Sequence, residues 1–185
     1  MKLLAKVKLE NKLKTEKTKI GILGGTFDPA HRGHLEISKQ AKKRFELKNI
    51  IWAITKKNPL KAESKTPISK KIKDCKKIIG LNSFIKVKFY ENIIKSNKTI
   101  DLINYLKKNK NIEIFFLMGA DNLISFHKWH KSKLISQKCN IIVFDRHGYK
   151  KNSLKSKTFK RLNNKTLTFV EFKKVNISSS QLRKI

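Results

Sequence analysis

Short apolar blocks alternate along the chain with segments of helical spacing, and this alternation predicts an α/β fold. Six blocks have the length and composition of strands: residues 19–25, 49–55, 84–90, 112–119, 140–146 and 167–172. The block IEIFFLMG at 112–119 is apolar at odd and even positions alike. That pattern is typical of a central parallel strand, which is buried on both faces.

Apolar residues between these blocks recur with helical periodicity. The spacing predicts helices over residues 34–46, 68–79 and 99–108, and shorter helical pieces over 121–126 and 131–136. Gly80 follows the second helix and is expected at its C-terminal cap. The basic residues 150–165 are expected to form a loop, the most flexible part of the fold. Strands alternating with helices over short links predict a parallel sheet covered by helices on both faces.

The length of 185 residues suits one domain with a real core. Apolar residues make up 39% of the chain but fall in dense blocks, so a globular fold is expected. Charges interrupt the apolar start of the chain, and residues 1–18 are interpreted as a basic tail. Residues 19–185 then form a single domain, with no internal repeat.

The charge balance is extreme, with 45 Lys and Arg against 13 Asp and Glu and a formal net charge of +32. Such a field favours polyanions, so a basic nucleic-acid-binding protein is one hypothesis. The excess is almost all lysine, spread along the chain with abundant Ile and Asn, and these three residues share A/T-rich codons. Lysine is also a poor base reader. The sequence therefore predicts weak nonspecific binding at low salt and no specific nucleic-acid partner.

The two cysteines and the absence of long apolar runs limit the cellular compartments in which the protein is expected. Cys75 and Cys139 lie far apart without metal-ligand spacing, which argues against a zinc site and a disulfide framework. No apolar run approaches the roughly 18 residues needed to span a bilayer, and the N-terminal stretch lacks a signal-peptide core. A cytoplasmic protein without a membrane partner is expected.

The most informative stretch is GGTFDPAHRGH at residues 24–34, between the first strand and the first helix. Ligands of α/β proteins bind at this carboxyl end of the sheet. Gly24 and Gly25 would let the backbone approach a phosphate, and the helix N-terminus favours an anion. If Gly33 lies in the first helical turn, His31 and His34 face one spot. Two imidazoles there could donate hydrogen bonds to a phosphate undergoing transfer.

The residues alone leave other interpretations of this stretch open. A strand, two glycines and a helix form a tight turn in many proteins, and two histidines can be surface residues or metal ligands. No cysteine or third histidine lies nearby to complete a zinc site. The stretch also matches neither the Walker loop nor the dinucleotide fingerprint.

Two motifs carry a resemblance to a known family. GGTFDPAHRGH resembles the GTFDPxHxGH signature of the HxGH nucleotidyltransferases. The double glycine and His31 are similar to the nicotinate-nucleotide adenylyltransferases, whereas the phosphopantetheine enzymes usually carry Thr at that histidine. ISSSQLR at residues 177–183 resembles the superfamily's ISSTxIR motif, with Ser180 in place of Thr.

The resemblance continues between the two motifs. NPLK at residues 58–61 is similar to the family's Pro-rich loop, and KTIDLI at 98–103 resembles YTxDTL. GADNLISFHKWH at 119–130 is similar to GxDxxxxFxxW, and FDRHGY at 144–149 resembles RxGY. The match implies that Thr99 contacts the nicotinate carboxylate, that Asp121 meets ribose, and that Trp129 stacks on the pyridine ring. Simple core packing is the alternative interpretation of Trp129.

Membership of this family implies a Rossmann-like fold and adenylyl transfer from ATP to nicotinate mononucleotide. His31 and His34 would be catalytic. ATP would be bound by Gly24, Gly25, Thr26, Phe27, His31, His34, Ile177, Ser178, Ser180 and Arg183. The mononucleotide would be bound by Gly25, Thr26, Phe27, Lys61, Thr99, Asp121, Trp129 and His130. Mg²⁺ is expected with ATP, held mainly by ATP oxygens and water, with no metal ligands from the chain.

Some features depart from the family pattern and leave alternatives. Lys98 replaces the usual aromatic residue before Thr99, and the chain ends soon after the ISSS motif. The alternative acceptors are phosphopantetheine and nicotinamide mononucleotide, and an inactive ATP-binding module is a further hypothesis. The sequence is compatible with a monomer or a homo-oligomer.

Overall fold

The computed structural model describes residues 16–57, 66–162 and 165–171, and in these ranges six parallel strands form one sheet. The strands are β1 (Thr18–Gly25), β2 (Asn49–Ile54), β3 (Ile85–Lys88), β4 (Ile112–Gly119), β5 (Asn140–Phe144) and β6 (Leu167–Val170). Their order across the sheet is β3-β2-β1-β4-β5-β6. The sequence prediction of an α/β fold with a parallel sheet is thus confirmed.

Helices connect the strands, as expected for parallel neighbours. They are α1 (Arg32–Phe45), α2 (Ile68–Ile79), α3 (Glu91–Ile94), α4 (Thr99–Leu106), α5 (Ala120–Ser125), α6 (Ser132–Lys138), α7 (Lys150–Lys155) and α8 (Lys157–Leu162), with a 3-10 turn at Phe126–Lys128. Gly80 caps α2 with a φ of 55°, a conformation that glycine adopts without the steric cost of a side chain. This confirms the predicted cap.

Strand β4 is the centre of the sheet and is covered on both faces. Ile114, Phe116 and Met118 belong to one core cluster, and the alternating Phe115 and Leu117 belong to the other. The first cluster packs residues of α4, α5, α6 and α8, and the second packs residues of α1 and α2. The unbroken apolar run of β4 therefore reflects a position between two helical layers.

The strand order reverses between β1 and β4, which are hydrogen-bonded neighbours from the pair Thr18 and Ile112 to the pair Leu23 and Leu117. From β1 the chain moves outward to β2 and β3, then returns to β4 and moves outward on the other side. Such a switch point leaves a crevice at the carboxyl ends of the two central strands, and open α/β sheets bind their ligands there.

The structure corrects two predictions outside this centre. Residues 150–162, expected to be part of a basic loop, form α7 and α8. Their lysines are good helix formers on the outer side, while Ser153, Thr158 and Leu162 are buried. Strand β3 ends at Lys88 instead of residue 90, and the short helix α3 follows where the sequence analysis expected none.

Several sequence predictions fall outside the described ranges. These include most of the basic tail, the NPLK loop and the ISSSQLR motif. Strand β1 begins at Thr18, one residue before the predicted start of the folded domain. Among the described residues, no helix is long and apolar enough to cross a membrane.

Candidate active site

A turn between β1 and α1 presents the predicted phosphate-binding residues at the switch point. Phe27 adopts a left-handed conformation with a φ of 46°, which is unusual for a residue with a side chain. Its ring is 2% exposed and stacks on Trp52, with centroids 5.0 Å apart. The peptide bond between Asp28 and Pro29 is cis, and Thr66 Oγ1 donates a hydrogen bond to Asp28 Oδ1 at 2.7 Å. Burial of the Phe27 ring thus holds the turn in place.

His31 and His34 form a reciprocal cap at the start of α1. The backbone N–H of Gly33 donates to His31 Nδ1 at 3.1 Å, and the N–H of His31 donates to His34 Nδ1 at 3.2 Å. The two ring centroids lie 3.8 Å apart. The expectation that both rings face one spot, with Gly33 in the first helical turn, is confirmed.

These hydrogen bonds decide where each imidazole carries its proton. Because Nδ1 of both rings accepts a backbone N–H, the proton of the neutral ring lies on Nε2. Burial, followed by the charge of Arg146, lowers the pKa of His31 to about 4. Burial, His31 and Arg146 together lower the pKa of His34 well below its usual value of 6.5. At neutral pH the pair therefore presents two uncharged Nε2–H donors.

The cap also uses part of the helix N-terminus that the sequence analysis assigned to phosphate. The N–H of Gly33 is bonded to His31 Nδ1, and the N–H of His34 donates to the carbonyl of His31 at 3.0 Å. These two amides are already bonded, so they are not the free donors to the anion that the sequence analysis expects at this helix start. At this helix start, the Nε2–H groups of the two histidines are therefore available as donors in place of these backbone amides.

A buried hydrogen-bonded chain supports His34 from behind. Trp52 Nε1 donates to Ser38 Oγ at 2.8 Å, and Ser38 Oγ donates to the carbonyl of His34 at 2.9 Å. Trp52 and Ser38 are both 0% exposed. The rings of Phe27 and Trp52 lie 4.7 Å and 5.8 Å from the His34 ring. Sequence reasoning missed this support, since nothing in the spacing pairs Ser38 of α1 with a tryptophan on β2.

Side chains of the protein lie at contact distance from the Cβ positions of Gly24 and Gly25. A Cβ built on Gly24 would lie no closer than 3.7 Å to another atom, and one on Gly25 no closer than 3.5 Å. Both are ordinary van der Waals distances, and neither glycine has a positive φ. The folded chain would therefore accept alanine at both positions.

Asp121 and Arg146 follow β4 and β5, the next two strands across the sheet, and form an ion pair. Arg146 Nη1 lies 2.5 Å from Asp121 Oδ2, and the Asp121 side chain is 13% exposed. Asp121 Oδ1 is buried without a hydrogen-bond partner in the described part of the chain. The sequence analysis matched Arg146 to the family's RxGY motif but assigned a role only to Asp121.

The remaining predicted contacts lie in other parts of the fold. Thr99 is the first residue of α4 and is half-buried. Trp129 is half-buried against the core, with its ring centroid 5.3 Å from that of Phe126 and 6.0 Å from that of Phe116. His130 is exposed. Core packing thus accounts for one side of Trp129, and its predicted stacking on a pyridine ring stays a prediction.

A shallow cavity of about 410 Å³ lies near the ends of β2 and β3, and its lining includes Lys98, the residue before Thr99. The lining also includes Lys56, Lys95 and Glu91. Lys98, which replaces an aromatic residue of the family pattern, therefore contributes to a basic rim.

Five predicted site residues lie outside the described ranges: Lys61, Ile177, Ser178, Ser180 and Arg183. Within the ranges that are described, no group of three or more His, Cys, Asp or Glu residues could hold a metal ion.

Comparisons with known proteins agree with this fold and with the family resemblance of the sequence. The sequence model of the cytidylyltransferase-like family matches residues 22–185. A protein of Pelagibacter ubique (strain HTCC1062), named "Probable nicotinate-nucleotide adenylyltransferase", is 70% identical and aligns over 97% of this chain and 99% of its own length. A Clostridium botulinum (strain Eklund 17B / Type B) protein of the same name is 35% identical over 89% of this chain and 84% of its own.

A solved structure shows the same fold. The Plasmodium falciparum nicotinic acid mononucleotide adenylyltransferase complexed with NaAD is similar with a TM-score of 0.73 and 22% sequence identity. The similarity covers 90% of this chain and 83% of that one.

Proposed function

This chain belongs to the nicotinate-nucleotide adenylyltransferase family, and we infer that it transfers the adenylyl group of ATP to nicotinate mononucleotide. An oxygen of the mononucleotide 5′-phosphate forms a bond to the α-phosphorus of ATP. The bond from that phosphorus to the oxygen bridging the β-phosphate breaks. Deamido-NAD and pyrophosphate are the products, which places the enzyme in NAD synthesis.

The histidine pair is the observation that carries the mechanism. The attacking phosphate is already ionised near neutral pH, so the reaction needs positioning and charge stabilisation more than a base. His31 and His34 suit this role because each holds an Nε2–H donor in a fixed direction. Donors fixed in advance stabilise the charge that builds on the phosphate oxygens without rearranging during the reaction. We assign both histidines to the phosphates of ATP, with His34 nearest the transferred group.

The turn at residues 24–27 is the proposed cradle for the mononucleotide phosphate. Gly24 and Gly25 carry no side chain that would keep a phosphate away from the backbone. Thr26 and Phe27 follow in the turn, where the Phe27 ring is buried, and their N–H groups are the proposed donors to this phosphate. Lys61 is a further candidate for this phosphate.

The other assignments of the sequence analysis complete the proposal. Ser178, Ser180 and Arg183 hold the β- and γ-phosphates of ATP, with Ile177 beside them. Thr99, Asp121, Trp129 and His130 hold the nucleoside part of the mononucleotide. Mg²⁺ comes with ATP and is held mainly by ATP oxygens and water, where it neutralises part of the polyphosphate charge. Buried free thiols at Cys75 and Cys139 suit a reducing cytoplasm.

The experiment is pyrophosphate release from ATP and Mg²⁺, with nicotinate mononucleotide, its amide analogue and phosphopantetheine offered separately. We expect release to favour the acid mononucleotide strongly. Preferred release with another acceptor would retain the phosphate chemistry but contradict the proposed acceptor. A folded protein that binds ATP and releases no pyrophosphate with any acceptor would contradict the proposed function.

A variant at His34 tests the mechanism separately. His34→Ala should lower kcat by about 100-fold or more, the range for losing one fixed donor to a developing negative charge. The exposed His127 offers a matched control, and His127→Ala should keep the wild-type rate. Wild-type turnover by a folded His34→Ala protein would exclude the assigned role.

A further inference from the structure

Arg146 lies close to the switch point although it follows β5, which is not one of the two strands that form the switch point. It lies two residues beyond β5, and Asp121 lies two residues beyond β4, which separates β5 from β1. A Cβ built on Gly119 would be 4.0 Å from Arg146 Cδ, so the stem of the arginine runs over the end of β4. The guanidinium is therefore directed from β5 towards the crevice above β1 and β4.

The ion pair with Asp121 holds Arg146 in this position. Arg146 Nη1 is bonded to Asp121 Oδ2, while the arginine side chain keeps 34% of its surface exposed. A guanidinium has five N–H donors, so the pair leaves donors for a second anion. The charge of Arg146 also acts on both members of the histidine pair.

The two histidines cannot neutralise the negative charge of the phosphate-bearing substrates. Both are neutral at neutral pH and donate hydrogen bonds without adding positive charge. The two phosphate-bearing substrates bring several negative charges to the same crevice. Composition does not account for an arginine here, because the chain uses lysine almost throughout. Its arginines are Arg32, Arg44, Arg146, Arg161 and Arg183.

We propose that Arg146 is a further catalytic residue, which binds a phosphate oxygen of a substrate in the crevice and is held ready there by Asp121. This inference rests on the proposed adenylyl transfer. The planar fork of arginine matches two phosphate oxygens, which a lysine ammonium cannot do. When the phosphate binds, the guanidinium shares its donors between Asp121 and the substrate.

A purely structural role is the competing explanation, in which Arg146 does no more than neutralise and orient Asp121. The two explanations differ in which ligands an arginine variant would bind more weakly. Loss of a phosphate contact weakens ligands that carry phosphate, whereas a misplaced Asp121 weakens ribose binding whether or not phosphate is present.

The test compares the affinities of matched ligands for wild-type protein and Arg146→Ala. The pairs are ATP with adenosine, and nicotinate mononucleotide with nicotinate riboside. In at least one pair, the phosphate-bearing ligand should lose about 10- to 100-fold in affinity, the range for a hydrogen bond to a charged group. Its dephosphorylated partner should lose none. Equal losses within both pairs, or no loss, would overturn the proposal.

Two further variants keep the result decisive. Arg161 is exposed on α8, so Arg161→Ala should bind all four ligands as the wild type does. Arg146→Lys retains a positive charge beside Asp121 and replaces the alanine variant if that protein does not fold. It should show the same selective loss with a smaller magnitude, and an unchanged affinity ratio would count against the proposal. Binding of ATP and adenosine is measured without turnover, so this result is independent of which acceptor the enzyme uses.

Discussion

Removing the hydroxyl of Ser38 is the sharpest test of the support behind His34. In Ser38→Ala, the indole N–H of Trp52 loses its acceptor at 2.8 Å, and the His34 carbonyl loses a donor at 2.9 Å. Ser38 and Trp52 are both 0% exposed, so water cannot take over either bond. A buried donor left without a partner costs about 1–3 kcal/mol, and one missing oxygen adds little cavity. We therefore expect the free energy of unfolding to fall by about 1–3 kcal/mol.

Urea denaturation followed by tryptophan fluorescence and circular dichroism measures this change. For a chain of this length, each kcal/mol should also lower the melting temperature by about 2–4 °C. The exposed Ser69 on α2 provides the control, and Ser69→Ala should stay within about 0.5 kcal/mol of the wild type.

A double-mutant cycle identifies the hydrogen bond itself. Trp52→Phe removes the donor and also leaves a small cavity, so this single variant is destabilised for two reasons. Ser38→Ala together with Trp52→Phe leaves no unpaired indole N–H. The double variant should therefore lose about 1 kcal/mol less than the sum of the single variants. Simple additivity, or a Ser38→Ala protein as stable as the Ser69→Ala control, would refute this reasoning.

Three shorter predictions concern the site. The lowered pKa values mean that the unfolded chain binds protons at His31 and His34 below pH 6.5 while the folded chain does not, so this part of the stability is lost as pH falls from 6.5 towards about 4. Urea titrations at several pH values should show a shallower acid loss in the double variant His31→Asn, His34→Asn, and an equal slope would contradict it. In Gly119→Ala, the new Cβ would lie 2.5 Å from Asp121 Oδ1. This should destabilise the fold by about 1–3 kcal/mol and lower kcat as the Asp121 side chain moves, whereas wild-type values of both would exclude the clash. Gly24→Ala should melt at the wild-type temperature yet weaken mononucleotide binding, because the nearest protein atom is 3.7 Å from the new Cβ. Unchanged affinity would place the phosphate elsewhere.

The sequence by itself determined those helices and strands that depend on residues close to one another in the chain. Helical spacing over 68–79 and the following Gly80 predicted α2 to the residue, since periodicity and a C-cap act within one or two turns. The apolar run of β4 predicted its central place because only a strand covered on both faces requires it. The three-residue spacing of His31 and His34 likewise predicted that their rings meet.

The basic composition of residues 150–162 led to a wrong prediction, because contacts with residues distant in the sequence bury part of this segment. Residues 150–162 look like a basic loop, but Leu162 reaches the core and Phe159 packs edge-on against Phe169 of β6, with ring centroids 6.2 Å apart. Those contacts depend on where β6 lies in the sheet, and no local pattern contains that position. The helices form because their apolar side chains find partners there.

The tertiary structure alone decided how the site is held together. Strand order places β4 between β1 and β5, so the ends of three strands bring His31, Asp121 and Arg146 to one crevice. Close packing of α1 on β2 pairs Ser38 with Trp52, 14 positions apart, and fixes His34 from behind. Backbone N–H groups then decide which ring nitrogen carries each histidine proton. Sequence spacing determines which residues share a face of one element, whereas the partners of that face depend on how the elements bury one another.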